Sequence, residues 1–168
     1  MSKSTPLTQS ARHQRGVYAL EWAIIFPAFF MLLYAIVSFG LAFLVRESMQ
    51  YAAEDGVRAA LRYQDDRAKR LVEAQKVVVE KLDWLPTLLK PTPSSINVTI
   101  CQVGDPDNCS PSMNCGIRVT ERCMVHLNFT IPYGTAPLAP GLRMFGISLL
   151  NPDQLTASAS ILTDQGGI

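Results

Sequence analysis

Residues 15–46 read RGVYALEWAIIFPAFFMLLYAIVSFGLAFLVR, and no other stretch of the chain constrains its surroundings so strongly. Between Arg15 and Arg46 there is one charge, Glu21, and from Trp22 to Val45 there is none. At about 1.5 Å per helical residue the uncharged run reaches roughly 36 Å. That crosses a bilayer core of about 30 Å with some tilt. A helix in a soluble core normally keeps one polar face, which this run lacks. The stretch predicts a transmembrane helix over 17–45. Pro27 removes one backbone donor inside it and is expected to bend or locally open the helix.

Glu21 is the odd residue. A carboxylate in a membrane helix costs up to about 2.5–3.5 kcal/mol at the bilayer centre, less near the interface, and by default marks a function. Gly16 lies five residues before it, a basic leader (Lys3, Arg12, His13, Arg15) precedes the glycine, and the apolar run follows at once. The arrangement resembles the type IV prepilin signal, in which a membrane aspartyl protease cuts after the glycine. Val17 would then become the first residue and Glu21 the fifth. The spacing also has a physical sense of its own. A cut there leaves a positive α-amine at a helix N-terminus, where the dipole disfavours positive charge. A carboxylate four residues on, or on a neighbouring subunit, neutralises it, and in hydrocarbon both partners otherwise lose solvation. Glu21 is therefore read as an assembly residue.

With 168 residues the chain has room for this helix and one small domain. Fifteen Lys and Arg against fourteen Asp and Glu leave no nucleic-acid footprint. Removing residues 1–16 takes away Lys3, Arg12 and Arg15, three positive charges, so the formal charge falls from +1 to −2. By the positive-inside rule the leader stays in the cytoplasm and everything after Arg46 crosses the membrane. Two rivals share the same run. An uncleaved signal anchor has the same topology without processing, and a secretory signal peptide cut after Gly40-Leu41-Ala42 releases a domain beginning near Phe43. The latter would need an apolar region of only about 7–15 residues.

Beyond Arg46 the helix is expected to continue. Met49, Ala52, Ala53, Gly56, Val57, Ala60 and Leu61 recur at helical spacing, with Gln50, Glu54, Asp55, Arg58 and Arg62 opposite. The apolar side is made mostly of small residues, which permits close packing. Tyr63 to Asp66 interrupts the pattern, and either Asp65 or Asp66 can cap a second helix. Its stripe is Ala68, Leu71, Val72, Val78, Val79, Leu82 and Leu85, stopped by Pro86. From Ile96 the period changes to two. Ile96, Val98 and Ile100 form one face of a strand, and Cys123, Val125, Leu127, Phe129 and Ile131 one face of another, joined antiparallel by the long loop GDPDNCSPSMNCG. A last strand is expected over Leu155 to Leu162. The domains are thus a leader at 1–16, a membrane helix at 17–45, a helical region at 46–90 and a β-rich part at 91–168. The fold class is α+β: a long N-terminal helix packed on a small antiparallel sheet with a disulfide-stapled loop.

Cys101, Cys109, Cys115 and Cys123 are separated by seven, five and seven residues. Zinc sites usually show closely spaced pairs such as C-x₂-C, absent here. On the far side of a membrane, disulfides are the natural expectation. The nested pairing, Cys101 with Cys123 and Cys109 with Cys115, is favoured because a hairpin brings both pairs opposite. The sequential pairing, Cys101 with Cys109 and Cys115 with Cys123, stays open. Asp105, Asp107 and Asn108 lack the spacing of an EF-hand and read as a solvated loop. His126 stands alone on its strand, without a nucleophile or base in view. Asn97, Asn108 and Asn128 head N-x-[ST] sites that matter only in a eukaryotic secretory pathway. No catalytic constellation, cofactor or small-molecule substrate is indicated.

Arg15-Gly16, then Glu21-Trp22, then Phe26-Pro27, followed by Gln50-Tyr51-Ala52-Ala53-Glu54-Asp55-Gly56-Val57-Arg58-Ala59-Ala60, are similar to the TadE-like family. The resemblance is specific over about residues 15–62. It implies a minor pseudopilin of the bacterial tight-adherence (Tad) pilus system, with Gly16 at the cleavage position and Glu21 as the pilin glutamate. The implied partners are the membrane, a prepilin peptidase, other pilins and pseudopilins, and the pilus assembly platform. The implied location is the bacterial inner membrane, with the C-terminal domain periplasmic.

Overall fold

In the computed structural model, residues 14–62, 67–110, 115–116, 118–139, 143–144, 147–148 and 152–163 are described. The chain divides into two units, residues 1–37 and 38–168. The leader before Gln14 and the proposed Asp65 and Asp66 caps lie outside the described residues.

The first helix, α1 (Gln14–Ala60), is one element of 47 residues that continues unbroken through Pro27. In the first unit most of its large apolar side chains are exposed: Leu20, Trp22 and Ile24 are each about two-thirds exposed. In the second unit the helical stripe read from the sequence is the buried one up to Ala60, whereas Leu61, expected with it, lies just past the helix end and is exposed. Val45, Met49, Ala52, Ala53, Val57 and Ala60 lie in the core, while Arg58 and Arg62 face outward.

The second helix, α2 (Arg67–Lys81), packs on the last turns of α1: Ala74 and Val78 lie against Gly56, and Lys81 pairs with Asp55 at 3.0 Å. Its buried stripe is Ala74 and Val78, continued past the helix by Leu82, Leu85 and Leu89. Val72, expected inside, is 61% exposed, and Ala68 is exposed too. The helix stops at Lys81, earlier than expected. The ring of Pro86 clashes with a helical carbonyl at Leu82, four residues before it, and offers no N–H to that carbonyl. Leu82 to Leu89 therefore continues as turns, closed by Leu85 N–H to Leu82 O (3.1 Å) and Leu89 N–H to Pro86 O (2.8 Å).

The sheet is antiparallel, in the order β2-β1-β3-β6, formed by β1 (Ile96–Gln102), β2 (Asp105–Cys109), β3 (Cys123–Ile131) and β6 (Leu155–Thr163). A separate two-residue pair, β4 (Arg143–Met144) with β5 (Ile147–Ser148), lies between β3 and β6 in sequence. Alternation sorts the faces as period two demands. Ile96, Val98, Ile100, Cys123, Val125, Leu127, Phe129, Ile131, Leu155 and Ala157 join the core with both helices. The opposite face carries rows of polar residues, Asn97–Asn128–Ser158 and Thr99–His126–Ser160, in cross-strand register.

Two expectations change here. Asp105 to Cys109, read as loop, is a strand, paired with β1 through Cys101–Cys109 and Gln102–Asp105. The disulfides are Cys101–Cys109 and Cys115–Cys123, so the favoured nested pairing of Cys101 with Cys123 and Cys109 with Cys115 does not form. Register decides it. Cys101 stands opposite Met124, and Cys123 opposite Gln102. The two cysteines are one residue out of step, and a one-residue offset places them on opposite faces of the sheet. Cys109, by contrast, is the direct partner of Cys101, with Cα atoms 4.1 Å apart.

Candidate functional site

Gly16, Val17 and Glu21 lie on the first turns of α1. Residues four apart share a helix face, so a new N-terminus at Val17 would have the Glu21 side chain above it, about 6 Å along the axis. Glu21 is exposed, as is Trp22 beside it. Gly16 is open: a Cβ added there would meet no atom within 4 Å. Internal packing therefore does not require a glycine at this position. Gly56 is the contrast, since a Cβ there would come 2.7 Å from Val78 Cγ2 and 2.9 Å from Leu127 Cδ1.

The other sequence candidates belong to the second unit. Cys101 and Cys109 staple β1 to β2, and Cys115 is tied to Cys123 at the start of β3. Asp105 and Asn108 are exposed on β2, and His126 is half-buried between Thr99 and Ser160. Among the described residues no group of three His, Cys, Asp or Glu is placed to hold a metal ion. Beside the edge of β6 a groove of about 360 Å³ is lined by Gln50, Glu54, Val57, Arg58 and residues 158–161. The Gln50 side-chain amide donates to Ser158 O at 3.0 Å across it.

Two features escaped the sequence reading. Tyr133, after β3, is completely buried, and its hydroxyl has no hydrogen-bond partner of good geometry. Trp84 and Leu88 are large apolar residues facing outward. Spacing is the only sequence signal for the latter pair, since they fall out of step with Leu82, Leu85 and Leu89.

A helix long and apolar enough to cross a membrane, leading into an α+β domain with a four-stranded antiparallel sheet, gives the chain a pilin-like architecture. Residues 16–58 match the family model described as TadE-like protein. The match starts on Gly16, includes Glu21 and ends on Arg58. The match covers about a quarter of the chain and, with the one candidate membrane helix, fits membrane localisation and an association with a Tad pilus. No curated protein and no solved structure matches the chain.

Proposed function

We propose that the chain is a minor pseudopilin or assembly component of a Tad-type pilus. Residues 1–16 are a cytoplasmic leader removed by a prepilin peptidase, residues 17–45 hold the protein in the inner membrane, and the remainder lies in the periplasm. The freed helix then packs against the helices of other pilins at the assembly platform. The observation that carries this reading is the starting point of the family match, on the glycine five residues before the lone acid of an uncharged membrane run. The open surroundings of Gly16 add support, because a small residue demanded neither by packing nor by a turn fits a demand from a protease.

The chemistry assigns the two residues different steps. Gly16 serves cleavage, and Glu21 serves assembly by meeting the α-amine of Val17 on its own or a neighbouring helix, where low dielectric strengthens the attraction. N-terminal sequencing of the membrane-extracted protein is expected to begin at Val17. Gly16→Trp is expected to abolish processing, while Glu21→Gln leaves it intact and removes the protein from sheared pili. A mature chain beginning at Met1 would make it an uncleaved bitopic protein, and one beginning near Phe43 a secreted domain; either overturns the proposal.

A further inference from the structure

We propose that the outer edge of β6 is a docking site for an extended segment of a different polypeptide, which joins the sheet as a further strand in the groove beside α1. The inference stands on the geometry of the second unit and does not need the pilus reading.

The ladder decides which backbone groups of β6 face outward. β6 is the last strand on its side of the sheet. Val103 N–H donates to Arg122 O at 2.8 Å, one step beyond the Gln102–Cys123 pair. Backbone groups alternate sides along a strand, so the even-numbered residues of β3 turn theirs towards β1 and the odd-numbered ones towards β6. The Thr163 hydroxyl agrees, since it donates to Cys123 O at 3.1 Å. Register then gives Leu155, Ala157, Ala159, Ile161 and Thr163 to β3, and turns the N–H and C=O groups of Thr156, Ser158, Ser160 and Leu162 away from it. One of these groups has a visible partner: Ser158 O accepts from the Gln50 side-chain amide at 3.0 Å. That amide is the side-chain equivalent of a peptide group, so the chemistry the edge accepts is that of another backbone.

The two edges of the sheet are built differently. β2 has five residues, among them Asp105, Pro106 and Asp107, and its register with β1 is irregular. Short length, charge, proline and irregularity keep an edge from pairing. β6 has nine residues in unbroken register, without charge or proline. Its inward side also loses cover along its length. Leu155 and Ala157 are buried, whereas Ala159 and Ile161 are only partly so, and both line the groove of about 360 Å³ together with Val57, Glu54 and Arg58. The strand that fits therefore alternates, with apolar side chains over Val57, Ala159 and Ile161 and small polar ones beside Ser158 and Ser160.

Strand direction argues for a different polypeptide over a second copy. Two β6 edges pair antiparallel about a two-fold axis normal to the sheet, which reverses the direction in which α1 leaves the domain. Two copies whose helices enter one membrane from the same side cannot be related in that way. A parallel pairing of the same edges is the weaker ladder, and β2 of a second copy offers the blunted edge.

Amide exchange in the full-length protein, held in detergent micelles, tests the proposal with a synthetic peptide of alternating valine and threonine. Without peptide, the amides of Ser158, Ser160 and Leu162 are expected to exchange fast and those of Ala157, Ala159 and Ile161 slowly. Peptide is expected to slow the first set about tenfold, and the same peptide N-methylated at alternate residues to leave it unchanged. Ser160→Pro removes an outward donor while sparing the ladder to β3, and is expected to abolish the effect at Ser158 with both disulfides intact. Gln50→Ala frees Ser158 O without altering β6, and is expected to tighten peptide binding about fivefold. Outward amides that stay fast at millimolar peptide, or that the N-methylated peptide slows equally, overturn the proposal. So does protection present before peptide is added: lost on dilution, it means that a second copy holds the edge, and kept on dilution, that the chain closes the edge itself.

Discussion

Tyr133 carries the clearest energetic conflict at the scale of single residues. Its ring is fully buried in the core cluster that also holds Ile131 and Leu155, while its hydroxyl has no well-formed hydrogen bond among the described residues. Burial raises its pKa above the usual tyrosine range, and the nearby Leu138 backbone, too poorly placed for a full bond, pulls weakly the other way. A buried unsatisfied hydroxyl costs about 1–3 kcal/mol, against which the ring contributes its apolar area. Tyr133→Phe is therefore expected to leave stability at neutral pH unchanged or higher by about 1 kcal/mol. The sign with pH follows from protons bound. Above about pH 10 the unfolded chain loses the phenolic proton while the native state keeps it, so stability is whole below that pH and declines as pH climbs through the folded value. The difference between wild type and Tyr133→Phe, from thermal unfolding in detergent between pH 7 and 11, is expected to grow only at the alkaline end. A loss above 1 kcal/mol at pH 7 would mean that the hydroxyl is well bonded after all.

At the scale of elements, the meeting of α1, α2 and the sheet depends on Gly56. Replacing it by alanine gains up to about 1 kcal/mol of helix propensity. The added methyl, however, comes 2.7 Å from Val78, 2.9 Å from Leu127 and 3.2 Å from the carbonyl of Ala74, and Val78 and Leu127 are fully buried. Overpacking typically costs about 1–3 kcal/mol, so Gly56→Ala is expected to destabilise by about 1 kcal/mol net and Gly56→Leu to prevent folding of the domain. Chemical denaturation of the alanine variant checks the sign. This junction was readable in advance, because Met49, Ala52, Ala53, Gly56, Val57 and Ala60 keep helical spacing with small side chains. The strands β1, β3 and β6 were readable from their period of two. β2 was not: DPDNC has neither alternation nor strand-forming residues, and its strand conformation comes from closure against Cys101. Disulfide pairing was hidden for a related reason. Intervals between cysteines say which can meet in a hairpin, but the face each one occupies depends on a register that only the assembled sheet sets. Trp84 and Leu88 were hidden because an apolar residue between other apolar residues reads as core until burial is known.

At the scale of the whole molecule, charge and cysteine chemistry make one demand together. The basic residues of the leader favour a cytoplasmic N-terminus, and both disulfides belong to the unit that follows the membrane run. Disulfides persist in oxidising compartments and are rare in the cytosol. The expected orientation is therefore leader inside and residues 46–168 outside. It can be read in two independent ways in the same cells. Alkylation of intact cells followed by denaturation is expected to label none of the four cysteines until a reductant is added. Protease added to spheroplasts is expected to remove a C-terminal epitope while an N-terminal tag on the unprocessed Gly16→Trp chain survives on a short fragment that keeps the membrane helix. The two readings must agree for the orientation to stand. Thiols that label without reductant, together with a protected C-terminus, would place the domain in the cytoplasm. In that case Glu21 could no longer meet an amine released on the inner face by a peptidase serving an exported domain, and the assembly role given to it would fail at the same time.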